Sequence, residues 1–280
     1  MNNKAIFIIL VSYILLSCGA NKRLVMNVSS YNLRMNTEND SLNSWTYRKN
    51  DVNSLITYHD FDIFGTQEGF HHQLQDILKL DNYAYIGAGR DDGKEAGEHS
   101  AIFYKKDKFE VIESGNFWLS ESPDIPGKGW DATCCNRICS WGKFKEKDFN
   151  KVFYFFNVHF DHQGVIAREE SGKLMVDKMI EIADGSPIIL TGDFNSTPES
   201  KQIKTISEYI NDTYVISETK PYGPVGTFNR RFKNPIGENR IDYIFVSNHF
   251  VADKYAHITD NNGESYPSDH LPVFVRLILK

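Results

Sequence analysis

Short apolar runs that end in a polar, hydrogen-bonding residue recur along this chain, and they restrict its fold more than any other feature. Leu24 to Leu33 reads as a strand that turns polar near Asn32. Phe61 to Thr66 reads as a short buried strand ending at Gln67-Glu68. Val152 to Phe160 is an aromatic strand carrying His159, and Pro187 to Leu190 runs into Thr191-Gly192-Asp193-Phe194-Asn195. Runs of this length, bounded by turn residues, suit buried strands. Ser100 to Tyr104, Phe109 to Trp118, Ile138 to Phe144, Arg240 to Ser247 and Pro272 to Leu279 read the same way. Helices are predicted over Tyr47 to His59, with Val52, Leu55 and Ile56 at helical spacing, over Phe70 to Lys79, and over Ile166 to Ala183. The last presents Leu174, Met175, Met179 and Ile182 as an apolar face. The order mixes βα units with neighbouring strands, which predicts helix-covered sheets in one continuous α/β domain rather than a simple doubly wound sheet. Strand ends are where loops hold side chains over a rigid sheet, so Asn32, Glu68, His159, Asp193 and Asn195 are the first candidates for a site.

Composition limits the function. A net charge of −6 excludes a broadly basic nucleic-acid-binding surface but leaves room for a local basic patch. The 280 residues suffice for a full core. The N-terminus needs separate treatment. Lys4 precedes an apolar run from Ala5 to Leu16, which is short for a membrane span and right for a signal peptide. Leu15-Leu16-Ser17-Cys18-Gly19 resembles a bacterial lipobox; an ordinary cleaved signal is the alternative. The expectation is a signal over residues 1–20, a lipid on Cys18, and an exported domain over 21–280. That domain would be monomeric, tethered at the periplasmic face or cell surface, and would meet the membrane only through its lipid. Of the other cysteines, Cys134, Cys135 and Cys139, small semi-buried thiols are expected, with a Cys134–Cys139 bridge as the open alternative.

Taken singly, each polar strand end has an ordinary explanation. Glu68 suits a solvated loop, Asp193 and Asn195 suit a turn or a helix cap, and Ser268-Asp269-His270 suits a turn. Their order is more informative. Asn32, Gln67-Glu68, His159, Gly192-Asp193-Phe194-Asn195, Arg240-Ile241-Asp242-Tyr243 and Ser268-Asp269-His270-Leu271-Pro272 together resemble the endonuclease/exonuclease/phosphatase superfamily, from about Leu24 to the C-terminus. The resemblance implies a four-layer α/β sandwich, two face-to-face mixed sheets flanked by helices. It also implies a hydrolase of phosphate esters that uses Mg²⁺ or Mn²⁺.

The implied roles follow the chemistry of the residue types. Glu68, with Asn32 and Asp269, would hold the metal, because Mg²⁺ favours hard oxygen ligands. Asp193 would orient and deprotonate the attacking water, and Asn195 would hold it. Asp242 would buttress His270, which donates to the phosphate, and His159 would face the phosphate as a second histidine. One departure matters: some relatives place a carboxylate two residues after the first-strand asparagine, and here that residue is Arg34. Arg137, Glu98 and Phe228 are the substrate-binding candidates: Arg137 for a second phosphate, Phe228 for stacking on a base or sugar. The leading expectation is a phosphodiesterase or nuclease acting on RNA or oligonucleotides, with single-stranded nucleic acid as partner. The alternatives are an inositol phosphate or phospholipid phosphoesterase and a catalytically silent binding lipoprotein.

Overall fold

The computed structural model describes residues 23–233 and 236–280. The apolar N-terminal run and Cys18 lie outside the described residues. Among those described, no helix is long and apolar enough to cross a membrane. The strands are β1 (Leu24–Asn32), β2 (Ile63–Gln67), β3 (Gly69–Phe70), β4 (Tyr83–Ile86), β5 (Glu98–His99), β6 (Ile102–Lys105), β7 (Phe109–Trp118), β8 (Ile138–Glu146), β9 (Val152–His159), β10 (Ile188–Asp193), β11 (Asn211–Asp212), β12 (Asp242–Val246), β13 (Phe250–His257) and β14 (Val273–Leu279). The helices are α1 (Trp45–Tyr58), α2 (His71–Ile77), α3 (Val165–Ala183), α4 (Lys201–Tyr209) and the short α5 (Thr213–Ile216).

Two six-stranded sheets form, in the orders β13-β14-β1-β2-β6-β4 and β11-β12-β10-β9-β8-β7, with β3 and β5 as a small separate pair. Each sheet is mixed, and its centre is built the same way. β1 lies parallel to β2 and antiparallel to β14; β10 lies parallel to β9 and antiparallel to β12.

Strict alternation along the strands makes the layers. Phe153 and Phe155 of β9, Ile189 of β10 and Ile244 and Val246 of β12 meet Met26, Val28, Ile63, Val275 and Leu277 of the first sheet in the central core. Their neighbours Tyr154, Phe156, Ile188, Leu190, Tyr243 and Phe245 face Met175, Met179, Ile203 and Ile206 of α3 and α4. On the other outer face, Tyr31, Phe64 and Phe103 meet Val52, Leu55, Ile56, Leu74 and Ile77 of α1 and α2. Three apolar layers between four layers of secondary structure give the expected sandwich.

β4, β13 and α4 were not legible. β13 interrupts its apolar positions with Asp253 and Lys254 at a register shift, and α4 offers only Ile203 and Ile206 as buried apolar residues. The cysteine expectations need correction. Cys134 pairs with Cys135, and Cys139 is a buried free thiol, so no Cys134–Cys139 bridge exists. The reason is register: Cys139 lies on β8 within the layer between the second sheet and its helices, whereas Cys134 and Cys135 lie on the loop before that strand.

Candidate active site

The two sheet centres deliver their polar ends to one place. In the second sheet, Asp193 is the register partner of Asp242 on one side and of His159 on the other, so three candidate site residues stand in a row across β12, β10 and β9. In the first sheet, Asn32 is the register partner of Gln67, and Glu68 follows directly. Arg34, Glu68 and Asn195, just past β1, β2 and β10, take left-handed backbone conformations with φ of 57°, 62° and 47°. Such conformations cost about 1–3 kcal/mol each and turn the loops back over the sheet ends. Asn195 is held in its turn by its own N–H donating to Asp193 Oδ1 at 2.9 Å.

Hydrogen bonds join the two halves. The Asn32 amide donates to Glu68 Oε1 and to Asp193 Oδ2, both at 3.0 Å, and its carbonyl accepts from the Arg34 N–H. Asn32 therefore links a carboxylate of each sheet. The Asn195 side-chain amide donates to the Phe160 carbonyl and lies 3.1 Å from His159 Nε2. His270 Nδ1 donates to Asp242 Oδ2 at 2.9 Å, and its Nε2 lies 3.8 Å from Asp193. Ser268 Oγ donates to the Asn32 carbonyl, which ties the Ser268-Asp269-His270 turn to the end of β1.

Beneath this layer lies a second polar one. Asn157, two residues before His159, donates to the Thr66 and Ala101 carbonyls of the other sheet and accepts from Gln67 Nε2 and Thr191 Oγ1. Gly65 makes room for it: a Cβ there would stand 2.2 Å from Thr191 Oγ1. Arg48, buried on α1, donates to the carbonyls of Leu33, Arg34 and Pro267 and so clamps two of the site loops.

The electrostatics sort the titratable groups. Burial opposes charge on His270, yet Asp242 and Asp193 keep it protonated well above its ordinary range. Burial together with Asp242 pushes Asp193 up to about 7, against the pull of His270. His159 is held neutral by burial and by the nearby Arg137 and Arg90. Burial would raise Glu68, but His270 and the Met35 N–H overcome it and hold the carboxylate ionised.

A divalent cation fits this set. Glu68, His159 and Asp193 bring ligand atoms within 4.8 Å of one another, as do Asp193, Asp242 and His270. Asp269 Oδ1 is buried without a hydrogen-bond partner, and Asp269 is raised by burial and by Glu68. The Arg34 guanidinium lies 3.9 Å from both Glu68 and Asp269 but is bound in a fork to Asp40 at 3.0 and 3.1 Å. Crowded carboxylates with an unused oxygen are the hard donor set that Mg²⁺ or Mn²⁺ takes.

These residues open into a cavity of about 660 Å³. Arg137, Glu98 and Phe228, the substrate-binding candidates, all line it. The Phe228 ring packs against His270, tilted by 40°, with centroids 4.7 Å apart. Arg137 is buried, donates to His162 Nδ1 at 2.8 Å and pairs with Asp161. Sequence reasoning missed Arg90, which also lines the cavity and pairs with Glu98 at 2.6 Å. The Cys134–Cys135 pair forms part of the same wall.

Comparison with known proteins agrees with this geometry. Residues 29–270 match the Endonuclease/Exonuclease/phosphatase family. A solved family protein from Bacteroides thetaiotaomicron is 46% identical, with a TM-score of 0.88 over 92% of this chain and 99% of that one. A mannosyl-6-phosphatase from the same organism is 47% identical, with a TM-score of 0.87 over 91% and 100%. An uncharacterised protein of Acanthamoeba polyphaga mimivirus is 31% identical over 57% of this chain and 62% of its own length. The chain thus spans less than two thirds of the curated relatives it matches, and only 26% of Drosophila melanogaster Nocturnin. With the family match spanning most of the chain and the paired sheets converging on an acidic, histidine-bearing site, the protein belongs to the endonuclease/exonuclease/phosphatase family of metal-dependent phosphoesterases.

Proposed function

We propose that this chain is a divalent-metal-dependent phosphatase that removes the phosphate from a phosphorylated sugar. The observation that carries this reading is the shape and lining of the site. The carboxylate–histidine cluster opens into a compact cavity walled by Arg90, Glu98, Arg137 and His162, side chains that suit a small, hydrogen-bonding substrate. The full-length match to a mannosyl-6-phosphatase supports it.

In this reading Glu68 and Asp269 would hold Mg²⁺ or Mn²⁺, and Asn32 fixes Glu68 against Asp193. The ion, when bound, neutralises the phosphate and stabilises the departing oxygen. Asp193 orients the attacking water and takes its proton, the role of a carboxylate general base. Asn195 positions that water. His270, held protonated by Asp242, donates to a non-bridging phosphate oxygen as charge develops there. Neutral His159 faces the phosphate from the other side, oriented by Asn195.

One feature favours a second reading, a phosphodiesterase acting on single-stranded nucleic-acid ends. Phe228 is half-buried at the cavity, with Arg230 over its ring, an arrangement on which a base can stack. The test is product release from hexose 6-phosphates, nucleotides, inositol phosphates, sphingomyelin, and single-stranded RNA and DNA, with Mg²⁺, Mn²⁺ or EDTA. The proposal expects metal-dependent phosphate release from hexose 6-phosphates to lead the panel. Faster shortening of oligonucleotides would replace it with the second reading. A folded, metal-binding protein with no turnover on any substrate would mark a silent binder.

A further inference from the structure

We propose that the loop between β4 and β5, together with β5 itself, is a hydroxyl-reading subsite in which Arg90 and Asp91 orient the sugar ring of the substrate. The inference rests on the phosphosugar reading above and names the residues that would give it specificity.

The loop is built as a rigid arch. The Gly89 N–H donates to the Lys94 carbonyl, the Asp91 N–H to the Ala96 carbonyl and the Arg90 N–H to the Glu98 carbonyl, while Asp92 Oδ1 caps the tip through the N–H groups of Lys94 and Ala96. Two glycines permit this closeness. A Cβ on Gly89 would stand 2.2 Å from the Ala96 carbonyl oxygen. Gly97 has φ of +82°, and its Cβ would stand 2.4 Å from the Asp91 carboxylate. The arch is anchored from outside as well: the Trp118 indole donates to the Arg90 carbonyl at 2.7 Å and Asn136 adds a second contact at 3.3 Å. A loop tied at this many points holds its side chains in place, which separates it from an ordinary solvated turn.

Its side chains face the cavity. Arg90, Asp91, Gly97 and Glu98 all line it, on the side that also carries Arg137 and His162. Arg90 forms its 2.6 Å pair with Glu98, yet its Nε is buried with no acceptor in the chain; Arg137 Nη1 is in the same condition. Buried donors of this kind call for an acceptor. The charges on this wall balance, Arg90 and Arg137 against Asp91 and Glu98, so the wall does not favour a second phosphate. A neutral hydroxyl both donates and accepts, and guanidinium beside carboxylate satisfies both halves. Phe70 and Phe228 are the aromatic residues lining the cavity, and Phe228 lies beside His270.

The test compares mannose 6-phosphate with phenyl phosphate, which carries no hydroxyl groups, in the full chain and in Arg90→Met and Asp91→Ala. Removing a hydrogen bond to a charged group costs about 10- to 100-fold. For Asp91→Ala the expected result is a loss of that size in kcat/KM for mannose 6-phosphate and about threefold or less for phenyl phosphate; Arg90→Met also frees Glu98 beside His159, so it should lower both, mannose 6-phosphate by about tenfold more than phenyl phosphate. Arg90→Lys and Asp91→Asn, which keep part of the hydrogen-bonding capacity, should fall between, and guard against a folding defect. Equal losses on both substrates, or none on either, would overturn the subsite while leaving the phosphatase reading intact. A wild-type chain that turns over phenyl phosphate but no hexose phosphate would overturn both.

Discussion

The space between the two sheets has two ends made from the same strands, and they are built on opposite chemistry. At one end Phe153 and Phe155 of β9 meet Phe109, Phe144 and Leu277 in a dry core. Two residues further along the same strand, Asn157 replaces the apolar side chain, and two further again His159 enters the site. β1 and β10 make the same change, from Val28 to Ser30 to Asn32 and from Ile189 to Thr191 to Asp193. The apolar end is non-directional and tolerates small shifts. The polar end, through Asn157, Gln67 and Thr191, fixes the two sheets at a defined register, which the convergence of Asn32 with Asp193 requires. Stability is expected to reside mainly at one end and alignment at the other.

The largest separation of the two should come from Phe155→Ala, which leaves a cavity in the dry core. Denaturant unfolding should show a loss of about 3–5 kcal/mol, with kcat of the folded fraction unchanged. Metal should act only at the polar end. Mn²⁺ at a hundredfold excess over its dissociation constant should raise stability by about 2.7 kcal/mol in the wild type, read as a shift in Tm, and EDTA should reverse it. Glu68→Gln should abolish that shift.

Asn157→Leu fills its space but removes a donor to the Thr66 and Ala101 carbonyls and the acceptor of Gln67 Nε2 and Thr191 Oγ1, at about 1–3 kcal/mol. Its signature is a fall in kcat of at least about tenfold, more than a stability loss of that size explains in a protein that stays folded. Unchanged kcat would mean that the polar layer is only structural.

The smallest effect contrasts two buried histidines. His270 is held charged by Asp242, whereas His257 donates from Nδ1 to the Pro224 carbonyl and accepts from the Tyr255 hydroxyl. Burial lowers His257 to about 4, so the folded state binds fewer protons than the unfolded chain there. That stability is present above the ordinary histidine value and is lost as pH falls toward 4. Between pH 7 and pH 5.5 the loss is roughly 1 kcal/mol, and His257→Gln should flatten that part of the profile.

The polar strand ends were legible because alternation puts a side chain of known face at each end, and because Asp193, Asp242 and His270 stand in recognisable local contexts. The layer beneath them was not. Ser30, Asn157 and Thr191 look like polar interruptions of apolar strands until the two sheets are seen face to face, with β2 supplying Gln67 and the space above Gly65. Arg48 reads as a surface residue of an amphipathic helix, and only the fold brings the Leu33, Arg34 and Pro267 carbonyls around it. Arg90 lies in a glycine-rich, charged loop that resembles a solvated turn. Its role depends on Trp118 and Asn136, which are distant in sequence. The local signals gave the groups that converge at the strand ends; the groups that hold them are set by contacts between sheets.

The central claim is that one site is assembled from both sheets. Its most direct test is a double-mutant cycle on Mn²⁺-dependent phosphate release, with Glu68→Gln from the first sheet and Asp193→Ala from the second. The account predicts that each single variant loses about a thousandfold or more in kcat, and that the double variant is hardly worse than either, because the two residues act as a unit. Losses that multiply, or substantial activity in either single variant, would contradict it.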